Sequence, residues 1–171
     1  MPVRAVGNKT PKVANSAWVS EAAYVVGDVE IGEGSSVWPG AVIRGDFAAI
    51  RIGANTHVED NVVIHCGEDM TIGDNVTIGH GVVVHCRSVG SNCLLGNNST
   101  ILDRAVIGDG CIVGAGALVL GDTVVPDGSF VVGVPATVRP GRTEQAERMR
   151  RRGRSEGGYA SMLKLYKSEG L

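Results

Sequence analysis

Val89-Gly90-Ser91-Asn92-Cys93-Leu94 is followed by Leu95-Gly96-Asn97-Asn98-Ser99-Thr100, and that by Ile101-Leu102-Asp103-Arg104-Ala105-Val106. Each block opens on an aliphatic residue and has a small residue four places on. The same step of six continues through Ile107, Val113, Val119, Val125 and Val131. Upstream it runs through Val13, Val19, Val25, Ile31, Val37 and Ile43. It restarts at Ile52 with Val58 and Ile64, and again at Ile72 with Ile78 and Val84. The fourth place holds Ala17, Ala23, Val29, Ser35, Ala41, Thr56, Val62, Val76, Val82, Cys93, Ser99, Ala105, Cys111 and Ala117. A period of six with one large and one small inward position fits neither an amphipathic helix nor a hairpin ladder. It is the hexapeptide signature of a parallel β-helix, an all-β solenoid in which three hexads make one triangular coil. Glycine, asparagine and aspartate take the corners, where the backbone needs relaxed angles. Spacing alone does not set the hand of the coil.

The bulk composition agrees. The chain has 171 residues, enough for one domain with a real core. Glycine accounts for 25 of them, well above the average of about 7%. Aromatics are only 4%, so the core must be built from small aliphatics. A net charge of −2 offers no global basic field for nucleic acid. No apolar run is long enough for a membrane span, and the start lacks the pattern of a secretory signal, so a cytoplasmic protein is expected. Four cysteines in this length do not make a disulfide scaffold.

The register slips three times. Ile43 to Ile52 carries three extra residues around Asp46-Phe47-Ala48-Ala49. Ile64 to Ile72 carries two, around Gly67-Glu68-Asp69-Met70, and Val84 to Val89 is one short. All three slips lie beside polar residues, and loops interrupting a rigid scaffold are where sites tend to be. The pattern ends near Val138, which divides the chain into a β-helix domain, 1–138, and a helical segment packed on it, 139–171. Within the segment, Thr143 to Arg148 reads as a weakly capped helix start. Arg148 to Arg154 is basic and reads as a solvated face. Tyr159, Met162, Leu163 and Tyr166 follow the i, i+3, i+4, i+7 spacing of a helix laid against the β-helix wall.

Three of the four histidines fall between Asp60 and Cys86: His65, His80 and His85. Written as coils 31/37/43, 52/58/64 and 72/78/84, the register stacks Arg44, His65 and His85 as an outward ladder on one face. Rungs are about 4.8 Å apart, so two imidazoles on neighbouring rungs can converge on an ion about 2.0–2.1 Å from each nitrogen. His80 follows Ile78 by two and lies on the next face, over Asp60. Five residues and a corner separate it from His85, up to about 15 Å of extended chain. One chain is not expected to unite all three. Two copies are: His65 and His85 from one, His80 from the next, around a threefold axis that closes a ring. Three neutral imidazoles leave a fourth tetrahedral position for water, the pattern of catalytic zinc, with a water pKa of about 7. Zinc is the first choice, and imidazole also suits Fe2+, Co2+ and nickel. His57, near a corner, is left without a role. Cys66 and Cys86 lie one rung apart and could be apolar fillers, a redox pair or groups behind the histidines. Cys93 and Cys111 belong to the core.

Ile43-Arg44-Gly45-Asp46, Val58-Glu59-Asp60-Asn61, Ile64-His65 and Gly79-His80 through Val84-His85 resemble the gamma-class carbonic anhydrase family, over roughly residues 10 to 170. The resemblance implies a left-handed β-helix, a homotrimer, metals between subunits, and His65, His80 and His85 as ligands. It implies CO2 and bicarbonate as the small-molecule substrate pair, with no nucleic-acid or membrane partner. It also implies that Arg44, Asp46 and Asp60 match the family's Arg-Gly-Asp pair and second aspartate. The same three residues suit an interfacial ion-pair network, and both roles stay open. The chain departs from the best-studied member in carrying Glu59 where that enzyme has glutamine, and in a shorter acidic loop holding only Glu68 and Asp69. Glu59 is therefore a candidate proton acceptor. The expected activity is reversible CO2 hydration. The alternatives are metal-dependent hydrolysis of acyl-CoA thioesters and a catalytically weak structural homologue.

Overall fold

The computed structural model describes residues 2–141 and 158–170. The chain winds as a parallel β-solenoid of about seven turns with a C-terminal helix. Three columns of aliphatics form the inside. Val13 stacks in register through Ile31, Ile52, Ile72, Val89 and Ile107 to Val125. Val19 stacks through Val37, Val58, Ile78, Leu95 and Val113 to Val131. Val25 stacks through Ile43, Ile64, Val84 and Ile101 to Val119. From Val25 onward every one of these residues is buried, while Val13 and Val19 in the first coil are half-buried.

The small positions are all buried as well. Where they are polar most are satisfied upward, as burial favours, while the buried Ser99 Oγ has no hydrogen-bond partner. Ser35 Oγ donates to the Gly53 carbonyl at 2.8 Å and Thr56 Oγ1 to the Gly73 carbonyl at 2.8 Å. Cys93 Sγ lies 3.1 Å from the Gly108 carbonyl oxygen and Cys111 Sγ 3.1 Å from that of Pro126. Asparagine takes left-handed corners, with φ of 59° at Asn61 and 57° at Asn98.

Two columns belong to one twelve-stranded sheet because the strands Tyr24–Ile31 and Val42–Ile52 run around the corner between them. The third column forms an eight-stranded sheet. This changes the reading of the first slip. The extra residues around Asp46 are not a free loop but a bulge inside the continuous strand Val42–Ile52, opposite a register shift between Gly27 and Val29. The cause is backbone contact at the corner. A Cβ on Gly27 would sit 2.3 Å from the Gly45 carbonyl oxygen, and one on Gly45 would sit 2.6 Å from that of Asp28. The bulge is tied at both ends: Lys9 Nζ donates to the Asp46 carbonyl at 2.8 Å, and the Ala49 N–H to Asp69 Oδ1 at 2.9 Å. The second slip is a true connection between the strands Val63–His65 and Met70–Ile72.

The hairpin Phe130–Gly133 with Ala136–Arg139 pairs with the last rung of the eight-stranded sheet. The sheet therefore ends on a short antiparallel strand, Ala136–Arg139, and short edge strands are poor templates for further pairing. The helix Tyr159–Glu169 packs on the same face. Leu163, Tyr159 and Tyr166 meet Trp18 and Trp38, with edge-to-face ring contacts at 5.1–5.4 Å. Lys167 Nζ ties the far end to the Ser16 carbonyl at 3.0 Å, and Gly170 caps it in the left-handed conformation. Met162, expected on the buried face, is 38% exposed, because the stripe that meets the two tryptophans is carried by Tyr159, Leu163 and Tyr166 alone. The helix start expected at Thr143 to Arg148 and the basic stretch Arg148 to Arg154 lie outside the described residues. No described helix is long and apolar enough to cross a membrane.

Candidate metal centre

Arg44 pairs in register with His65, and the His85 N–H donates to the Ile101 carbonyl at 2.9 Å, continuing the same ladder. The His65 and His85 ring centroids are 5.4 Å apart. His65 Nε2 is buried and makes no hydrogen bond, although it lies 3.3 Å from Asp46 Oδ1. Burial lowers the pKa of His65, and the Arg44 charge adds to the effect. Both effects favour the neutral ring, the form a metal ligand requires. A buried imidazole nitrogen without a partner is costly in itself, and a cation at that point removes the cost. The residues present fit a metal ion.

Arg44 Nη1 also pairs with Asp46 Oδ2. Desolvation pushes the Asp46 carboxyl up, but hydrogen bonds from Arg44 and from the backbone outweigh it and hold the group below its usual value. Phe47, at the tip of the bulge and 71% exposed, stands edge-on to His65 at 5.6 Å, with the Arg44 guanidinium 5.9 Å from its ring.

His80 sits apart, past the strand Thr77–Ile78 of the eight-stranded sheet, whereas His65 and His85 lie along the twelve-stranded one. Its Nε2 is 3.1 Å from Glu59 Oε2 and its Nδ1 3.1 Å from Asp60 Oδ2. Among the described residues of one chain, no three histidine, cysteine, aspartate or glutamate side chains are placed to hold a metal ion together. Glu59 is only 5% exposed. Burial raises its pKa, against a hydrogen bond from the Tyr159 hydroxyl and the nearby His80. His57 resolves as structural: Nδ1 is 2.8 Å from Ser36 Oγ and the ring stacks on Tyr159 at 5.5 Å.

Two residues near the site were not selected from the sequence. Tyr159 reaches Glu59 only because the helix docks on the solenoid, which no register predicts. Asp103 lies with Oδ1 3.1 Å from His85 Nδ1. Its signal was present, since it follows Ile101 by two just as Cys86 follows Val84, one rung below.

The four cysteines are free and buried. Cys66 and Cys86 belong to the core, which makes them apolar fillers. Burial raises both thiols, Cys86 to about 12. Neither should react with iodoacetamide at pH 8 in folded protein, because the thiolate is the reactive form. Mass spectrometry should show labelling only after denaturation. Rapid native labelling of either would contradict the filler assignment.

Fold and histidine placement define the class first, a β-solenoid of hexapeptide repeats. The family model "Bacterial transferase hexapeptide (six repeats)" matches residues 88–121. The structure of a hexapeptide transferase family protein from Anaplasma phagocytophilum superimposes with a TM-score of 0.88 at 33% identity, covering 96% of this chain and 97% of that one. The carbonic anhydrase of Geobacillus kaustophilus is 40% identical over 161 residues, 91% of this chain and 88% of that protein. The mitochondrial gamma carbonic anhydrase 2 of Arabidopsis thaliana is 35% identical over 139 residues, 77% of this chain but 50% of that protein. The chain thus spans about half the length of the Arabidopsis relative. It belongs to the gamma carbonic anhydrase family.

Proposed function

We infer that three copies of the chain close into a ring and hydrate CO2 reversibly at metal centres between subunits. His65 and His85 of one copy and His80 of the next hold the ion, with zinc foremost and Fe2+ or Co2+ as alternatives. The observation that carries this reading is the buried, unpartnered Nε2 of His65 beside His85. The ion supplies Lewis acidity that makes water nucleophilic at neutral pH.

The chain's own residues do the rest. In the forward direction the oxygen of water adds to the CO2 carbon, one proton leaves, and bicarbonate departs. Arg44 presents a fixed guanidinium beside His65 for the negative charge that develops on the CO2 oxygens. Asp46 Oδ1, 3.3 Å from His65 Nε2, lies where it can accept a hydrogen bond from the attacking water. Glu59, whose pKa burial raises, is suited to accept the departing proton. Glu68 and Asp69 stand at the exposed rim to pass it to buffer. Asp60, beside His80, reaches Arg44 of the adjoining copy and adds an ion pair to the contact.

Hydrolysis of an acyl-CoA thioester is the second reading, because water activated for attack on CO2 could equally attack an acyl carbon. Stopped-flow CO2 hydration on protein of measured zinc content separates the two. Activity should scale with zinc in the native chain and fall to background in His80→Ala. Fully loaded protein at background rate would discard hydration and direct attention to an acyl-CoA panel.

A further inference from the structure

We propose that Asp103 is a positioning residue for the metal centre, fixing the tautomer of His85 so that Nε2 is the nitrogen offered to the ion. This rests on the metal-site reading above. Asp103 Oδ1 is 3.1 Å from His85 Nδ1, so the proton of a neutral imidazole has its acceptor on the Nδ1 side. A carboxylate behind a ligating histidine orients the ring and makes the ligating nitrogen more basic.

The turn that carries Asp103 is tied to the next coil by both side chain and backbone. Arg104, the next residue, has φ of 58°. That conformation is unfavourable for a residue with a side chain. Asparagine and glycine fill most such corners in this solenoid, and Arg104 is the bulky exception. It is held there by a two-pronged pair, Nε and Nη2 each 2.7 Å from the Asp122 carboxylate one coil on. The Asp122 N–H also donates to the Asp103 carbonyl at 2.9 Å. Strained backbone that surrounding contacts hold in place is characteristic of functional positions. Here it adjoins the residue whose carboxylate faces His85. Asp103 and His85 line one cleft of about 190 Å³ together with Glu68, Arg87 and Arg104, and the Asp103 side chain is 58% exposed. It is thus not part of the core, and removing it should leave the fold intact.

The test compares Asp103→Ala, Asp103→Asn and His85→Ala in the full chain, with Zn2+ and Co2+ affinities from chelator competition and the visible spectrum of the Co2+ form. Asp103→Ala should weaken both metals by about 10–100-fold, the range for losing such a partner, with circular dichroism and assembly mass unchanged. Asp103→Asn keeps an acceptor oxygen and should restore most of the affinity. An alanine variant with native affinity and an unaltered Co2+ spectrum would overturn the assignment. Should the alanine variant not fold, long-range proton–nitrogen correlation on metal-free native protein decides instead: His85 carrying its proton on Nδ1 supports the proposal, and on Nε2 defeats it. His85→Ala separates the two levels of inference. If it retains metal, the metal-site reading itself fails. If it loses metal while Asp103→Ala does not, only the role of Asp103 falls.

Discussion

Coexpressed His65→Ala and His80→Ala subunits are expected to regain metal sites that neither variant forms alone. The expectation follows from the division of the histidines. A His80→Ala subunit still offers His65 and His85, and a His65→Ala subunit still offers His80. In a head-to-tail ring each interface is intact only when the first kind precedes the second. For random equal mixing that is one half times one half, or about 25% of the native number of sites. Each variant by itself should bind Zn2+ more than about 100-fold more weakly than the native chain, beyond the loss from a positioning group alone. Zinc content and CO2 hydration should recover together in the mixture. Mixed rings demonstrated by mass, yet holding no more zinc than the separate variants, would show that the three histidines do not meet between subunits. Normal zinc binding by His80→Ala alone would show that His80 is not a ligand.

Gly27→Ala is expected to be strongly destabilising. Gly27 has φ of 90° and faces Gly45 so closely that an added Cβ would lie 2.3 Å from its carbonyl oxygen and 2.5 Å from its carbonyl carbon. Both obstacles are backbone, so relief requires the strand Val42–Ile52 to move. Arg44 and Asp46 flank Gly45, and the bulge that follows carries Phe47 against His65. The loss should be at least about 2 kcal/mol from backbone strain and overlap. That is a fall of about 4–8 °C in Tm for a chain of this length. Gly7→Ala is the control. Gly7 also has positive φ, at 58°, but nothing lies within 4 Å of its Cβ direction, so only the conformational cost applies. Thermal melts and zinc content of the two variants read stability and site together. Equal effects would mean that the contact at the corner does not hold the bulge in place.

The first slip shows where the sequence was a good guide and where it was not. Counting from Ile43 to Ile52 placed the irregularity around Asp46 to Ala49, where the register shifts. Counting could not show whether the extra residues hang free or stay in the strand. That depended on Gly27 and Gly45 lying against each other from different coils, on Lys9 reaching the Asp46 carbonyl and on Asp69 reaching Ala49. None of these contacts has a spacing signature. The helix is a similar case. Its apolar stripe was legible from Tyr159 to Tyr166, but the stripe does not tell that Trp18 and Trp38 receive it, nor that Met162 is left outside.

What the sequence determined by itself is the part governed by a strict period. Six-residue spacing puts each aliphatic over the next, so the three columns, the Arg44–His65–His85 ladder and the separate face of His80 follow from arithmetic alone. What only the tertiary structure decided is the part set by side chains from different coils reaching one another. It left His65 Nε2 buried without a partner, brought the Tyr159 hydroxyl to Glu59, and set Asp103 behind His85. The physical reason is range. A repeat specifies neighbours one rung away through backbone hydrogen bonds of fixed geometry. Contacts across corners and onto the helix depend on rotamers, bulges and docking that no periodic pattern encodes.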